Sequence, residues 1–543
     1  MEALSGLVLP FHGSALLLLA LLALSLYWLN VKPIHHRPHR PASAADDVRR
    51  LPPALPATAV LTLILQLGCF RQGTPDWKSL LRRVFTTHGL IVTLRAGAGN
   101  PTVVVADATL ASRILVENGA SFAGRPSALE PMPLITAVSA ADYDSIWCAL
   151  RHNLASGILN PSAIRSYTAS RRRVLSSLLR RLTEVGESVD GVVAVRDHFL
   201  WAMFFLLADM VFGASTLDGD QVKSLQDAHQ LLLSYYNGLA FGFLSKIWGS
   251  VLPTSMSILP KLRRSHEQIF LPLVRARREK MEMMRRRQQQ QQQHPHDQNP
   301  PTSYVDTLIV LELPDPTNEG CRKLDDHEIV TFCAEFLSAG AETTSTALEW
   351  IMANITKHQV IQKKLVEEME RVIREHGEIK EENIHKMEYL SAVVMEGLRR
   401  HPPAYFLLPH RASSDASIGG YSIPKDSTVH FMVGDMGLDE KNWSDPLEFK
   451  PERFLLGGAE CHKLGVVVGK EEIKMMPFGA GRRACPGLGL AMLLLKYFVA
   501  NLVTQYDWKA VEEEGIDLTE KLGLTVVMKN PLKARLYKRI AHM

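Results

Sequence analysis

The chain of 543 residues is 46% hydrophobic and 22% charged, the balance of a folded globular protein rather than a disordered chain. Its 61 lysine and arginine residues against 57 aspartate and glutamate residues leave a net charge of +4, so nothing global indicates a nucleic-acid partner. Six scattered cysteines without a C-x-x-C pair indicate free thiols in a reducing compartment.

Residues 1–31 form the clearest break in composition. Leu4–Val31 is almost continuously apolar, and roughly 20 such residues suffice for one membrane-spanning helix. Basic residues follow the run from Lys32 onward and none precedes it, which predicts that the remainder of the chain is cytosolic. A cleaved signal peptide is the alternative, although no small-x-small cleavage site follows the run. We therefore predict a single-pass N-terminal anchor.

The next segment, residues 32–56, contains six prolines and several basic residues. Such a segment cannot be helical and is predicted to be a stiff spacer between the anchor and a catalytic domain that spans residues 57–543. That domain opens with a second apolar run, Ala57–Phe70, which is too short to span a membrane comfortably. Packing at the membrane surface and packing in the core both remain open for this run.

Two basic clusters, Arg171-Arg172-Arg173 and Arg180-Arg181, fall on a predicted helix. An acidic protein can dock on such clusters by charge complementarity, and an ordinary solvated helix face explains them equally well. Further along, Arg285–Pro301 includes six consecutive glutamines and is predicted to be a solvated loop.

The segment Ala339-Gly340-Ala341-Glu342-Thr343-Thr344 lies inside a long predicted helix, roughly Asp326–Lys357. Gly340 and Thr343 are poor residues for the middle of a helix by intrinsic propensity. A simple kink is one explanation, and a functional groove is the other.

A third predicted helix contains Glu396 and Arg399, which share one face and can pair because they are three residues apart. Pro402-Pro403 ends this helix. The passage Ile418–Val433 reads as a short strand region, whereas the chain after residue 300 is otherwise mostly helical. The predicted fold class is therefore mostly α with small β-sheets, an α+β catalytic domain.

The segment from Phe478 to Gly487 (FGAGRRACPG) is the most informative in the chain. Its three glycines allow a tight backbone that approaches a flat ligand closely. The apolar stretch Leu488–Val503 follows directly and is predicted to be a buried helix, so Cys485 lies just before a helix N-terminus. Free backbone N–H groups and the helix dipole favour a thiolate there. A thiolate is one of the ligands by which proteins hold haem iron.

This segment resembles the haem-binding signature F-x-x-G-x-R-x-C-x-G of the cytochrome P-450 haem-thiolate monooxygenases. The matching positions are Phe478, Gly481, Arg483, Cys485 and Gly487. The similarity extends over nearly everything after Leu51 and implies the cytochrome P-450 fold with haem b as its cofactor. By resemblance, Cys485 is the axial ligand of the haem iron, and Arg483 reaches a haem propionate.

Three further motifs occur in the family's order and spacing. Ala339–Thr344 is similar to A/G-G-x-D/E-T-T, which implies that its small residues let the helix approach the haem and leave a groove for dioxygen. In this role Thr343 hydrogen-bonds the oxygen, and Glu342 relays protons to it. Glu396–Arg399 is similar to E-x-x-R, and Pro451–Phe454 to the element whose arginine completes a buried Glu–Arg–Arg network.

The pair Trp147 and Arg151 is similar to the family's W-x-x-x-R, in which both side chains donate to haem propionates. Plant members often carry W-R-x-L-R at this place. Cys148 stands here where that extra arginine is expected, and Asp144 replaces a usual glycine. These departures bear on the basic surface for a partner more than on haem binding.

His410 matches a position that contacts a propionate in many relatives, although that role can belong to Arg411 instead. The resemblance places the substrate pocket near Ser127–Ala141, Phe336–Ala339 and Ala404–Leu407. These segments are largely apolar, which indicates a hydrophobic substrate.

The resemblance is strongest to plant microsomal members. It implies a monooxygenase of the endoplasmic reticulum membrane that activates O2 with electrons from NADPH, delivered by NADPH-cytochrome P-450 reductase. Its substrate would be a hydrophobic small molecule, a fatty acid or a specialised metabolite. The apolar Ala240–Leu259 resembles a segment that dips into membrane lipid. Two alternatives keep the haem: an isomerase or dehydratase acting on a pre-oxidised substrate, and a haem-binding regulator without turnover.

Overall fold

The computed structural model of the protein describes residues 50–56, 77–94, 100–126, 138–187, 191–213, 217, 219–237, 259–290, 303–315, 320–455, 473–511 and 515–539. The predicted anchor at residues 1–31, the run Ala57–Phe70 and all but the last residue of Ala240–Leu259 lie outside these ranges. Within them the protein is mostly α-helical with small β-sheets, and this prediction is confirmed.

The α-helices of the described residues are, in chain order, α1 (Trp77–His88), α2 (Ala108–Ser112), α3 (Ser145–Asn153), α4 (Pro161–Ser166), α5 (Thr168–Gly186), α6 (Arg196–Phe212), α7 (Gly219–Asn237), α8 (Leu259–Gln290), α9 (Tyr304–Val310), α10 (Asp326–Lys357), α11 (Gln359–His376), α12 (Glu388–Arg400), α13 (Val433–Met436) and α14 (Leu488–Gln505). The strands are β1 (Ile91–Leu94), β2 (Thr102–Val105), β3 (Val192–Ala194), β4 (Glu312–Pro314), β5 (Cys321–Lys323), β6 (His410–Arg411), β7 (Ala416–Ile418), β8 (Tyr421–Ile423), β9 (Thr428–Phe431), β10 (Tyr506–Ala510), β11 (Glu520–Leu522), β12 (Val526–Met528) and β13 (Lys533–Lys538).

The chain divides into two compact units, and the described residues of the first are those of 50–126 together with Pro409–Met432. At its centre is a four-stranded sheet in the order β1-β2-β9-β6, in which only β2 and β9 run parallel. Val103, Val105 and Val429 of this sheet are fully buried, as suits β-branched residues packed on a pleated surface.

The strand region predicted at Ile418–Val433 forms the hairpin β7–β8 and strand β9. The hairpin turns at Gly419 and Gly420, whose φ angles of 57° and 82° suit glycine in a two-residue turn. The end of the predicted spacer is bound to the same unit, because the Leu55 N–H donates to the Thr93 carbonyl at 3.0 Å.

The second unit is built around α10, a helix of 32 residues that packs against α6, α8, α12 and α14. Asp325 and Glu328 begin it with a reciprocal capping box, each carboxylate accepting the other residue's backbone N–H at 2.8 and 3.0 Å. Every residue from Thr344 to Thr356 is buried, so the C-terminal part of α10 forms the centre of the core.

Two glycines set how closely the neighbouring helices approach α10. A Cβ atom on Gly340 of α10 would lie 2.6 Å from Leu207 Cδ1 of α6, and one on Gly397 of α12 would lie 2.4 Å from Ile351 Cγ1 of α10. The space on the side of Gly340 where a Cβ atom would stand is filled by a leucine of α6. The groove for dioxygen expected along this motif stays a prediction.

Helix α14 is the only helix among the described residues that is long and apolar enough to cross a membrane. Half of it is buried inside the protein, and it packs against α10, α11 and α12. The predicted buried helix after Cys485 is therefore confirmed as a core helix.

The predicted Glu–Arg–Arg network is present and fully buried. Glu396 accepts from Arg399 Nε at 2.6 Å and Nη2 at 2.8 Å, and from Arg453 Nε at 3.2 Å. The backbone N–H of Lys450 adds a further bond of 2.8 Å to the same carboxylate. Charges removed from water in this way are stable only when they are paired and hydrogen-bonded.

Two guanidinium groups share one carboxylate here, so one positive charge is left over. Backbone carbonyls solvate it: Arg399 Nη1 donates to Gly437 and Pro446, and Arg453 Nη1 donates to Ser444 at 2.9 Å. The network thereby fixes the irregular chain on both sides of these carbonyls, a stretch that contains no strand and only one short helical turn before Leu455.

The basic cluster Arg171-Arg172-Arg173 is not a continuous exposed surface, so neither a docking site nor a solvated helix face includes all three arginines. Arg171 is fully buried, and its guanidinium donates to both carboxylate oxygens of Glu381 at 2.6 and 2.7 Å. Arg173 pairs with the buried Asp209. Periodicity places Arg171 on the inward face of α5, so it cannot meet a partner.

We predict that Glu396→Ala lowers the free energy of unfolding by roughly 3–5 kcal/mol, because it leaves two buried guanidinium groups without their anion. The matched control is Glu452→Ala, which removes a half-exposed pair with Lys364 at 2.7 Å and an exposed hydrogen bond of 3.2 Å from the Tyr389 hydroxyl, and should cost about 1 kcal/mol. Urea unfolding of both variants measures the difference. Equal midpoints for wild type and Glu396→Ala would show that the network does not hold this region.

Candidate active site

The loop that carries Cys485 is closed by its own backbone. The Cys485 N–H donates to the Phe478 carbonyl at 2.8 Å, and Gly479 and Gly481 both have φ of 68°. A side chain in that region of φ costs about 1–2 kcal/mol, so these two positions favour glycine. Gly487, with φ of −84°, carries no such constraint, and only two of the three predicted glycines shape the turn.

The Cys485 thiol is accessible, yet it is surrounded by protein. Burial raises its pKa, while the N–H groups of Gly487 and Leu488 at the start of α14 and the charge of Arg151 lower it. An accessible group that is also desolvated faces a confined space rather than open solvent. A metal ion in that space would itself deprotonate the thiol.

Two arginines lie beside this thiol. Arg151 of α3 donates Nη2 to the Ala484 carbonyl at 2.6 Å, and Arg483 donates Nη2 to the Ala141 carbonyl at 2.7 Å. Burial lowers the pKa of both, and the pKa of Arg483 falls to about 10, because burial and the charge of Arg151 outweigh the charges of Asp142 and Asp144, which raise it. Two desolvated cations near one thiolate suit a ligand that bears carboxylates, and haem b has two of them.

Trp147 is bound differently from the expectation. Its Nε1 donates to the Val138 carbonyl at 3.0 Å rather than projecting free, and the Arg483 guanidinium lies 4.4 Å from its ring centroid. Donation to a propionate would require this bond to be exchanged. Asp144, a departure from the family pattern, has a structural role: its carboxylate caps α3 by accepting the Trp147 backbone N–H at 2.8 Å.

The remaining predicted propionate contact, His410, belongs to the first unit. It is buried on β6, and its Nδ1 donates to the Phe122 carbonyl at 2.7 Å. The neighbouring Arg411 donates to Asp426 at 2.9 Å and to the Arg125 carbonyl at 3.0 Å. The roles proposed for these two side chains stay predictions.

In the middle of α10, one turn before its buried C-terminal part, a strip of small residues is accessible. Ala339 is exposed and Thr343 partly so. The Thr343 hydroxyl donates to the Ala339 carbonyl one turn earlier, at 2.6 Å. That bond leaves the lone pairs of the hydroxyl oxygen for a second contact.

Glu342 is directed toward β12 rather than along this strip. Its carboxylate accepts a long bond of 3.4 Å from the hydroxyl of Thr525. Burial raises its pKa, whereas Thr525 and the charge of Arg196 lower it and the nearby Glu349 raises it. A carboxyl group with a raised pKa retains its proton at higher pH and can donate it, which general-acid work requires.

The family model for cytochrome P450 matches residues 52–536. The chain belongs to the cytochrome P450 family. It is therefore a haem-thiolate monooxygenase, and the fit of Cys485 with its two neighbouring arginines agrees with that membership.

Relatives extend over almost the whole length of this P450. It is 40% identical to cytochrome P450 89A9 of Arabidopsis thaliana over 91% of this chain and 94% of the relative. It is 30% identical to the flavonoid 3'-monooxygenase of the same plant, over 97% of this chain and 98% of the relative. A zebra fish cytochrome P450 structure with abiraterone shares the fold, with a TM-score of 0.65 at 22% identity, over 85% of this chain and 99% of that one.

Two contributions to this P450 site escape sequence reasoning. The cap formed by Asp144 reads as a mere departure from a motif, although an aspartate three residues before a helical tryptophan is a recognisable N-cap signal. Glu335 of α10 accepts two backbone N–H groups from the chain near Val138. The sequence feature that could have indicated this role is a single carboxylate within an apolar stretch of a predicted helix.

We predict that Cys485→Ser removes the thiolate character of the haem spectrum, because a serine hydroxyl does not replace a thiolate as iron ligand. The reduced carbon-monoxide complex of the variant should absorb away from the thiolate-type position. Cys148→Ser is the matched control, since Cys148 is an exposed cysteine on α3, and its spectrum should equal that of wild type. A thiolate-type spectrum in Cys485→Ser would show that another residue binds the iron.

Proposed function

We propose that this P450 inserts one atom of O2 into a hydrophobic small molecule, with electrons from NADPH passed on by NADPH-cytochrome P-450 reductase. The observation that supports it most is the position of Cys485 at the start of α14, with Arg151 and Arg483 beside it. Haem b bound there supplies an iron–thiolate centre that favours O–O cleavage. Cys485 would hold the iron, and the two arginines would bind the propionates.

In the proposed reaction the chain's own side chains orient dioxygen and supply protons. The Thr343 hydroxyl, fixed by its bond to Ala339, would hydrogen-bond dioxygen in the accessible strip of α10. Glu342 would deliver protons from the side of Thr525, and burial raises its pKa, which favours the protonated form. The intact pair of acid and alcohol argues against an isomerase or a dehydratase.

The substrate class is proposed to be a specialised metabolite rather than a fatty acid. Relatives whose names state a substrate include the flavonoid 3'-monooxygenase and an isoflavone 3'-hydroxylase of Medicago truncatula, 29% identical over 90% of this chain and 92% of the relative. Phe336 and Ala339, near the accessible strip of α10, provide apolar surface for such a molecule.

The membrane arrangement is proposed from the sequence. Residues 1–31 would anchor the protein in the endoplasmic reticulum membrane. Residues 32–56 would separate the anchor from a cytosolic catalytic domain at 57–543, with Leu55 already joined to the first unit. Reductase would meet exposed basic residues such as Arg180 and Arg181, since Arg171 is buried.

We expect Thr343→Ala to bind haem and accept electrons, because neither step uses the hydroxyl. It should release peroxide instead of product, since positioned proton transfer is worth about 10²–10⁴-fold in rate. The measurement is the ratio of product formed to NADPH oxidised, in membranes with reductase and a panel of flavonoids, terpenoids and fatty acids.

The matched control for that experiment is Thr331→Ala. Thr331 makes the same bond to the carbonyl one turn earlier, at 2.9 Å, but lies at the exposed start of α10. Its ratio should equal that of wild type. An unchanged ratio in Thr343→Ala would make Thr343 a packing residue only. Product formed by wild type without NADPH would favour an isomerase or a dehydratase.

Deletion of residues 1–31 should release most of the protein from microsomal membranes while its haem spectrum stays unchanged. Glycosylation reports the orientation through Asn442, which is partly accessible. The other sequon cannot report it, because Asn354 is buried and donates to the Trp350 carbonyl at 2.9 Å. Glycosylated Asn442, or a catalytic domain protected from protease in sealed microsomes, would contradict the cytosolic placement.

A further inference from the structure

A short segment, Val138–Ala141, precedes α3 without helix or strand of its own, and we call it the strap. Buried peptide groups outside regular structure need hydrogen-bond partners from elsewhere. Glu335 of α10 provides them on one side. Its Oε2 accepts the Val138 N–H and its Oε1 the Ser139 N–H, both at 2.8 Å. One carboxylate thus binds two consecutive amides.

The carbonyl side of the strap is bound to the surroundings of Cys485. The Val138 carbonyl accepts from Trp147 Nε1 at 3.0 Å and from Arg483 Nη1 at 3.3 Å. The Ala141 carbonyl accepts from Arg483 Nη2 at 2.7 Å. The strap is therefore held between a carboxylate of α10 and the cation and indole next to the thiol.

Glu335 stands in an apolar part of its helix. Its neighbours are Cys333, Ala334, Phe336 and Leu337. Desolvation raises its pKa, and the bonds from the strap lower it. A carboxylate in such surroundings is costly unless hydrogen bonds compensate for the lost water, and the strap supplies those bonds.

The position of Glu335 along α10 adds to the argument. Glu335, Ala339 and Thr343 follow one another at intervals of four residues, which keeps them on one side of the helix, with Glu335 about 12 Å from Thr343 along the axis. The same helix face thus carries the accessible strip and the attachment of the strap.

We propose that Glu335 is a positioning residue that fixes Arg483 and Trp147 beside Cys485 through the strap. This rests on the proposed contact of Arg483 with a haem propionate. Without the carboxylate, the carbonyls of Val138 and Ala141 lose their fixed position, and with it the orientation of the arginine.

The test compares Glu335→Gln with wild-type holoenzyme by hydrogen–deuterium exchange and by transfer of haem to excess apomyoglobin. Glutamine has one acceptor oxygen and places an amino group against the second amide. A backbone N–H that loses its acceptor favours local opening of the strap by about tenfold. Exchange of the Val138 and Ser139 amides and dissociation of haem should therefore both become about tenfold faster.

The matched control is Glu349→Gln. Glu349 is another carboxylate of α10, buried in the core, which accepts the Leu532 N–H at 3.0 Å and Arg196 Nε at 2.9 Å. It should lower stability without changing exchange in the strap or the rate of haem loss. Glu335→Asp keeps both acceptor oxygens and should restore both rates in part, and it replaces Glu335→Gln if that variant does not fold.

Rapid exchange of the Val138 and Ser139 amides in wild type would show that Glu335 does not hold the strap. Faster strap exchange with an unchanged rate of haem loss would overturn the positioning role. Both results would leave the thiolate assignment intact, since Cys485→Ser tests that separately. Equal haem loss in the Glu335→Gln and Glu349→Gln variants would also overturn the proposal, because the effect would then be general.

Discussion

The second unit of this protein depends on one buried carboxylate that binds two arginines. Glu396 lies in the interior with Arg399 and Arg453, and the positive charge that remains is surrounded by backbone carbonyls and, at Arg399, by the ring of Trp443. Those carbonyls belong to a stretch of chain that contains no strand. Hydrogen bonds from the buried arginines therefore hold this stretch in place of regular secondary structure. Because Gly397, next to Glu396, packs directly on Ile351 of α10, the same network is joined to the helix that carries Thr343.

The candidate haem site also contains two arginines that donate to backbone carbonyls, but they lie beside an accessible thiol rather than around a buried carboxylate. Arg151 and Arg483 are also desolvated and also donate to carbonyls, those of Ala484 and Ala141. Burial lowers the pKa of both arginines, while the charge of Cys485 raises that of Arg151 and the charge of Asp142 raises that of Arg483. The Glu396 network is closed by its own charges and stabilises the fold, whereas two arginines beside an accessible thiol are suited to an anionic cofactor.

Local features of the site could be predicted from the sequence. The Cys485 loop, the pairing of Glu396 with Arg399 and the buried helix α14 each depend on residues close together in the chain or on a periodic pattern. Features that depend on distant partners could not. Glu335 meets Ser139 across a separation of 196 positions, and no periodicity encodes that contact.

The burial of Arg171 and the packing of Leu207 against Gly340 escaped prediction for the same reason. The bond of Trp147 to Val138 spans only nine positions, but it joins a helix to a segment without regular structure, and no periodicity encodes that contact. A motif indicates which side chains matter, and only packing determines what each one faces.

The contact of Gly340 with Leu207 has a consequence for laboratory evolution of the enzyme. With a leucine methyl seated over the glycine, α10 cannot slide along α6 or rotate against it without a clash. Changes to accessible side chains of α10 should therefore reshape the space above them while the helix keeps its register. Libraries built on that face can vary the substrate and leave the placement of Thr343 untouched, provided that residue 340 stays glycine.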